Sequence, residues 1–292
     1  MTTYVPDSKT KRWVIISPVR NHRPDQSHSD KVPIHLCPFC PGNEHLTPPE
    51  IAHITKPELG ITNQELGKNT SSWCVRVIPN KYPITDIHEV IIHNPDHVRD
   101  MSLLTPLEVS DVITMYQDRL RVHETDGQAI IFCNHGKEGG ASLSHPHSQL
   151  VVVPNQVPID AISKEPIDHI IKETDHYVAC CPKFSQWPYE LWIAPKRTGL
   201  QFLEASPEEV RDLSALLPSL LRSLHTIYDE TSNKEDDGGQ FAYNYYISPG
   251  SDYRIRVIPR FIHRAGFELA TEISVNQVNP AEAATEVRSH LT

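Results

Sequence analysis

Apolar residues along this chain come in two kinds of run, and the kinds alternate. Short β-branched or aromatic runs closed by proline or polar residues read as buried strands: His88–His93, "QAIIFCNHG", Gln149–Val153, "VACCP", Glu190–Ala194, "FAYNYYIS" and "YRIRVIPR". Two longer amphipathic stretches, "TPLEVSDVITMYQDRLRVH" and "SPEEVRDLSALLPSLLRSLH", predict helices. Their starts match: Thr105-Pro106-Leu107-Glu108 and Ser206-Pro207-Glu208-Glu209 are both capping boxes with proline at the first helical position. Asn279-Pro280-Ala281-Glu282 predicts a last helix by the same logic, and Pro218 predicts a kink inside the second.

The order of elements repeats. "PNKYP" and "PKFSQWP" each open a unit that runs through a proline-containing aromatic turn, a strand, a short loop, an amphipathic helix and two more strands. The chain therefore predicts an α+β fold made of a duplicated unit of antiparallel strands with one crossing helix, the first over residues 1–155 and the second over 156–292. The copies diverge at one place: His145-Pro146-His147-Ser148-Gln149 aligns with Asp252-Tyr253-Arg254-Ile255-Arg256. "DETSNKEDDGGQ" reads as a mobile polar excursion of the second copy.

Charge and cysteine usage narrow the partners. A net charge of −10, spread rather than blocked, argues against a nucleic acid held through its phosphates. No apolar run approaches a membrane span and the N-terminus has no apolar signal region, so a cytoplasmic protein with no membrane partner is expected. Six cysteines, at 37, 40, 74, 133, 180 and 181, form no disulfide framework and read as reduced thiols, with the vicinal pair Cys180-Cys181 in the core.

Chemistry concentrates at the His-Pro-His step. Strand periodicity puts His145, His147 and Gln149 on one face of an apolar strand, where leaving them unpaired would cost about 1–3 kcal/mol each. A site is the economical explanation, and Pro146 is tolerated because it lies at the strand's beginning. Cys37-Pro38-Phe39-Cys40 has the spacing of half a zinc knuckle, with His145 a candidate for one of the missing ligands. The alternative, a redox pair, lacks the neighbouring βαβ pattern. Gly136, Gly139 and Gly140 form a loop whose N–H groups could face an anion, and Arg20 and Arg23 offer a second phosphate clamp.

Taken in order, "RWVIISPVRNHRP", "CPFCPGNE", "VIPNKYP", "NPDH", "CNHGKEGGASLSHPHSQ", "WPYELWIAPK" and "GFELATE" resemble landmarks of the galactose-1-phosphate uridylyltransferase branch of the histidine-triad superfamily, over nearly the whole chain. That resemblance implies tandem histidine-triad-like units with antiparallel half-barrel sheets. It implies one structural zinc per chain on Cys37, Cys40, His97 and His145, and a nucleophile at His147. Phosphate contacts fall on Ser142 and Gln149, Asn80 and Asn134 match positions near the nucleotide, Arg20 and Arg23 match an arginine pair around the phosphates, and Glu268 matches a sugar-binding glutamate. A homodimer with sites that borrow partner residues is implied as well. The common motif has glycine after the second histidine, whereas this chain has Ser148, as in relatives resembling ADP-glucose phosphorylase, which leaves uridine and adenosine both open.

The expected function is transfer of a nucleoside monophosphate between a nucleotide sugar and a hexose 1-phosphate through a covalent nucleotidyl-histidine. The alternatives are an ADP-glucose phosphorylase-like enzyme, a dinucleoside-polyphosphate phosphorylase or hydrolase, and a non-catalytic nucleotide-sugar-binding protein.

Overall fold

The computed structural model describes residues 2–6, 13–22, 37–55, 73–159, 167–231 and 240–291. Arg23 and residues 232–239 of the expected excursion lie outside the described residues. An antiparallel hairpin, β1 (Thr3–Pro6) with β2 (Trp13–Ile16), stands apart from the main sheet. That sheet follows as β3 (Ala52–Thr55), β4 (Trp73–Pro79), β5 (His88–Ile92), helix α1 (Pro106–Val122), β6 (Gln128–His135) and β7 (His147–Val153). The pattern then recurs as β8 (Ile170–Glu173), β9 (Tyr177–Cys180), β10 (Leu191–Pro195), α2 (Pro207–Thr231), β11 (Tyr243–Ile247) and β12 (Ile255–Pro259), before α3 (Gly266–Thr271) and α4 (Pro280–Ser289).

Among the described residues these ten strands form one antiparallel sheet in the order β3-β4-β5-β7-β6-β11-β12-β10-β9-β8. Each half of that list is the other half in reverse, with β6 and β11 pairing at the seam, Phe132 opposite Tyr246 and Asn134 opposite Asn244. The α+β fold of antiparallel strands and crossing helices is therefore realised as two like-ordered halves joined edge to edge. Joining them this way gives the inner edges of both halves a hydrogen-bonding partner.

Both helices begin as their sequences dictate. Glu108 N–H donates to the Thr105 hydroxyl while the Glu108 carboxylate accepts the Thr105 N–H, and Ser206 and Glu209 make the same reciprocal pair. Asn279 caps α4 by accepting the Ala281 N–H. Pro218 is buried inside α2, which continues as one element from 207 to 231. The Leu-rich face around it, with Leu216, Leu217, Leu220 and Leu221 all in the core, holds the helix against the sheet across the missing hydrogen bond.

The sheet's two faces have different duties, because side chains alternate along each strand. Val75, Val77, Ile91, Leu150 and Val152 pack with Val109, Val112 and Ile113 of α1 in the main core, which α2 extends. On the opposite face Ile78, Val90 and Ile92 pack against Cys37, Phe39, Cys40 and Trp73. The strand expected from Gln149 begins two residues earlier, at His147, and His145 lies just before it.

Candidate active site and metal centre

The Cys-Pro-Phe-Cys turn is tied together by its own backbone. Cys40 N–H donates to the Cys37 carbonyl (3.2 Å), which also accepts from the Asn43 amide (2.8 Å). His97 follows β5 in a turn where the Asp96 N–H donates to the Asn94 side chain. The Asn94 carbonyl in turn accepts from Nε2 of His145 (2.9 Å), which leaves Nδ1 of His145 as the nitrogen aimed at the sulfurs. The four side chains Cys37, Cys40, His97 and His145 thus converge, with every ligand atom within 4.8 Å of the others.

The spacing suits an ion. Ligand atoms placed tetrahedrally at the ~2.0–2.3 Å bond lengths of zinc stand roughly 3.3–3.8 Å apart. Here Cys40 Sγ is 3.2 Å from His97 Nδ1 and 3.5 Å from His145 Nδ1, and Cys37 Sγ is 3.8 Å from His145 Nδ1. Burial, together with Cys37 beside it, pushes the Cys40 thiol up to about 12, and burial pulls His145 down to about 4 and lowers His97. These surroundings favour a protonated Cys40 thiol and neutral imidazoles, and a divalent cation is the charge that would displace the Cys40 proton.

His147 is placed by the same turn but faces elsewhere. Its Nδ1–H donates to the His145 carbonyl (2.8 Å), which fixes the tautomer with the lone pair on Nε2. Phe39, between the two cysteines, meets its ring edge-on at 5.2 Å. His147 lies on the wall of a cavity of about 180 Å³ together with Ser142, Gln149, Asn80, Tyr82 and Phe39. Gln149 is oriented from behind: Nδ1 of His88 accepts the Ile84 N–H, so Nε2 carries the proton and donates to Gln149 Oε1 (2.9 Å). That turns the amide NH₂ end of Gln149 away from His88. Asn80 accepts the Tyr82 N–H (2.8 Å), and Arg20 donates to the Tyr82 carbonyl (3.1 Å) at the cavity's rim.

Other expected residues take different places. Asn134 is one strand away from His147, bonded to Asn244 (2.8 Å), and is not on the cavity wall. Glu268 sits in the first turn of α3, accepting the Ala265 N–H, also off the wall. The glycine loop is not an open anion cradle at its tip, because Gly140 N–H donates to the Lys137 carbonyl and Ala141 N–H to the Gly136 carbonyl. Gly139 is needed for close packing: a Cβ there would meet the His135 carbonyl oxygen at 2.2 Å.

The second half shows what the same framework looks like without the histidines. Gln149 lies opposite Val90 and Phe132, and Arg256 opposite Trp192 and Tyr246, so Arg256 takes Gln149's place. Glu190, in His88's place, pairs with Arg256 at 2.7 Å and accepts from the Trp192 indole. That half closes on its own ion pair. His88, Tyr82 and Asn94 are site residues that sequence reasoning misses. The signal for His88 is a polar residue at the head of an apolar strand, matched by Glu190 at the head of its counterpart.

A sequence profile for the N-terminal domain of galactose-1-phosphate uridyl transferases matches residues 82–154, the stretch that carries His97, His145, His147 and Gln149. The chain is 26% identical to ADP-glucose phosphorylase of Arabidopsis thaliana, over 97% of this chain and 91% of that protein. It is 26% identical to galactose-1-phosphate uridylyltransferase of Thermotoga maritima, over 96% of this chain and 95% of that one. Along nearly its whole length the chain is similar to galactose-1-phosphate uridylyltransferases. The fold agrees: the crystal structure of the Arabidopsis thaliana ADP-glucose phosphorylase with bound ADP-glucose superposes with a TM-score of 0.69 at 24% identity, covering 99% of each chain. A uridylyltransferase structure superposes at 0.71 with 21% identity, covering 99% of this chain and 98% of that one. Against the uridylyltransferase family's profile, Cys37 and Cys40 fall outside the matched stretch and meet it only through folding.

Proposed function

We propose that this protein is a nucleotidyltransferase that moves a nucleoside monophosphate from a nucleotide sugar to a sugar 1-phosphate through a covalent adduct on His147. The observation that carries the reading is the His147 tautomer: Nδ1–H is engaged by the His145 carbonyl, so Nε2 holds the lone pair on a cavity wall shared with Gln149 and Ser142. Nε2 attacks the α-phosphorus, the bond from phosphorus to the sugar-phosphate oxygen breaks, and the sugar 1-phosphate leaves as a stable anion. As the new bond draws electrons from the ring, the His145 carbonyl stabilises the positive charge on the Nδ1–H side. The Gln149 amide and Ser142 hydroxyl are suited to the negative charge on the non-bridging oxygens. The second half-reaction reverses these steps with a new phosphate nucleophile.

Cys37, Cys40, His97 and His145 would hold one structural zinc. With four protein ligands its shell is closed, so what it supplies when bound is rigidity. Arg20 supports the rim of the cavity, with Arg23 and Asn80 assigned to the phosphates and nucleotide. Glu268 and Asn134 are off the cavity wall, which fits a site completed across a homodimer. Exposed Phe267, Leu269 and Ile273 around Glu268 supply an apolar surface for that contact. Among the described residues no helix is long and apolar enough to cross a membrane.

Intact-mass measurement after incubation with UDP-glucose and, separately, ADP-glucose tests the reading. A single added UMP or AMP is expected, and the mass names the base. Release of that nucleotide by glucose 1-phosphate or galactose 1-phosphate marks a transferase, and release by inorganic phosphate alone marks a phosphorylase of the kind the Arabidopsis relative is named for. No adduct with either sugar nucleotide in zinc-loaded protein would sink the proposal.

A further inference from the structure

Ser148 follows the nucleophile directly, yet its side chain points to the opposite face of the sheet. There its hydroxyl lies 2.7 Å from Nε2 of His93 and 3.0 Å from the Tyr245 hydroxyl, and it also bonds the Tyr116 hydroxyl. The two tyrosine hydroxyls are 2.8 Å apart. None of the four residues is more than 1% exposed. They come from β5's end, α1, β7 and β11, so the cluster fastens the His147 strand to its own helix and to a strand of the other half.

The cluster grips the backbone on both sides of His147. The His93 N–H donates to the Pro146 carbonyl (3.2 Å) while the His93 ring holds Ser148. The Cys133 thiol donates to the carbonyl of His147 itself (3.4 Å). Residues 146, 147 and 148 are each pinned from the side away from the cavity.

The second half is an internal control. Strand register makes Ile255 the counterpart of Ser148, Ile131 the counterpart of Tyr245 and Pro195 the counterpart of His93. The matched helix starts make Leu217 the counterpart of Tyr116. Ile131, Leu217 and Ile255 are all in the apolar core. The fold therefore closes at these places with apolar residues, and a buried polar group costs about 1–3 kcal/mol wherever its bond is unmade. Among the described residues the second half keeps a buried hydroxyl pair nearby, Tyr177 with Tyr253 (2.8 Å), but at the positions matching Ser148, Tyr116 and Tyr245 it has only apolar side chains. The four-membered cluster belongs to the back of the strand bearing His147, which points to that strand's task rather than to folding in general.

We propose that Ser148, His93, Tyr116 and Tyr245 are positioning residues that fix the His147 backbone for attack, and that Ser148 takes no part in choosing the nucleotide. This rests on His147 being the nucleophile. The test uses the zinc-loaded full chain and its Ser148→Gly and Tyr245→Phe variants, with ADP-glucose and UDP-glucose as probes, reading kcat, KM and zinc content. Both variants should keep zinc and lose about fivefold or more in kcat with whichever probes react, at a KM within about twofold of the parent. The preference between the two probes should stay within about threefold of the parent's. A smaller loss in kcat, a loss confined to KM, or a larger change of preference overturns the proposal. Tyr245→Phe, which keeps its ring and drops one hydroxyl, decides the question if Ser148→Gly does not fold. His147→Ala separates the two levels: an adduct in that variant overturns the nucleophile itself, whatever Ser148 does.

Discussion

At the residue scale, two histidines separated by one proline have been given unlike surroundings. His145 is buried with Nδ1 toward two sulfurs, and His147 has Nδ1 turned back to the chain so that Nε2 carries the lone pair. His147→Ala should abolish exchange between a nucleotide sugar and radiolabelled sugar 1-phosphate while leaving metal content and melting temperature near those of the parent. His145→Ala should lower both, because it removes one of the four side chains that could hold an ion and leaves the Asn94 carbonyl and two thiols without their partner. Elemental analysis and thermal unfolding check the pair, and equal metal loss in both variants would contradict the division of labour. The spacing of Cys37 and Cys40 and the His-Pro-His step are legible in the sequence because they are local. His97 is placed only through the family resemblance, since it meets the cluster through a turn whose geometry depends on Asn94 and Asp96. The anion role expected of the glycine loop is not available at its tip for a related reason: periodicity shows where a loop lies but not that it folds back on itself, so that the N–H groups of Gly140 and Ala141 bond the loop's own carbonyls, while Asn244 of β11 donates to the Gly139 carbonyl.

At the element scale, the helix starts are read correctly because a capping box is a complete local device, with donor, acceptor and proline within four residues. The strand limits are read less well. β7 begins at His147 because the ladder to β5 extends to Ile92, a partner no local pattern reveals. The cap of α1 also makes a test. Burial alone would raise Glu108, but hydrogen bonds from Arg99 and from the Thr105 backbone and hydroxyl outweigh it and bring the carboxyl from 4.5 to about 2. Arg99 grips it with both guanidinium nitrogens at 2.8 Å. A carboxyl with a depressed folded pKa adds stability above its unfolded value, and that stability fades as pH falls from about 4.5 toward about 2. Glu108→Gln should therefore destabilise the protein near neutral pH by roughly 0.5–2 kcal/mol, a typical loss for a helix cap. The gap between variant and parent should narrow through that acid window. Denaturant unfolding at a series of pH values measures it, and a gap that widens toward acid would show that the cap is not what Glu108 contributes.

At the scale of the whole molecule, the two halves are equivalent in strand order and unequal in chemistry. One carries His147 and Gln149 on a cavity wall with His88 behind Gln149, and the other fills the matching positions with Arg254, Arg256 and Glu190, the last two closed into an ion pair. The duplication thus leaves one half per chain with a histidine on a cavity wall, and that wall carries no glutamate from α3. Glu268 instead stands beside exposed Phe267 and Leu269, a surface that water disfavours and a second copy could cover. If His147 of one subunit works with Glu268 of its partner, the protein sediments as a dimer, and His147→Ala and Glu268→Ala each impair the homodimers that carry them. Co-expressed, the two variants form heterodimers in which one site has both substitutions and the other has neither. With random pairing half the dimers are mixed and half of their sites are intact, so activity should recover to about a quarter of the parent's. Recovery no greater than the average of the two homodimers, in a preparation shown to contain the mixed species, would place Glu268 outside the site that His147 serves.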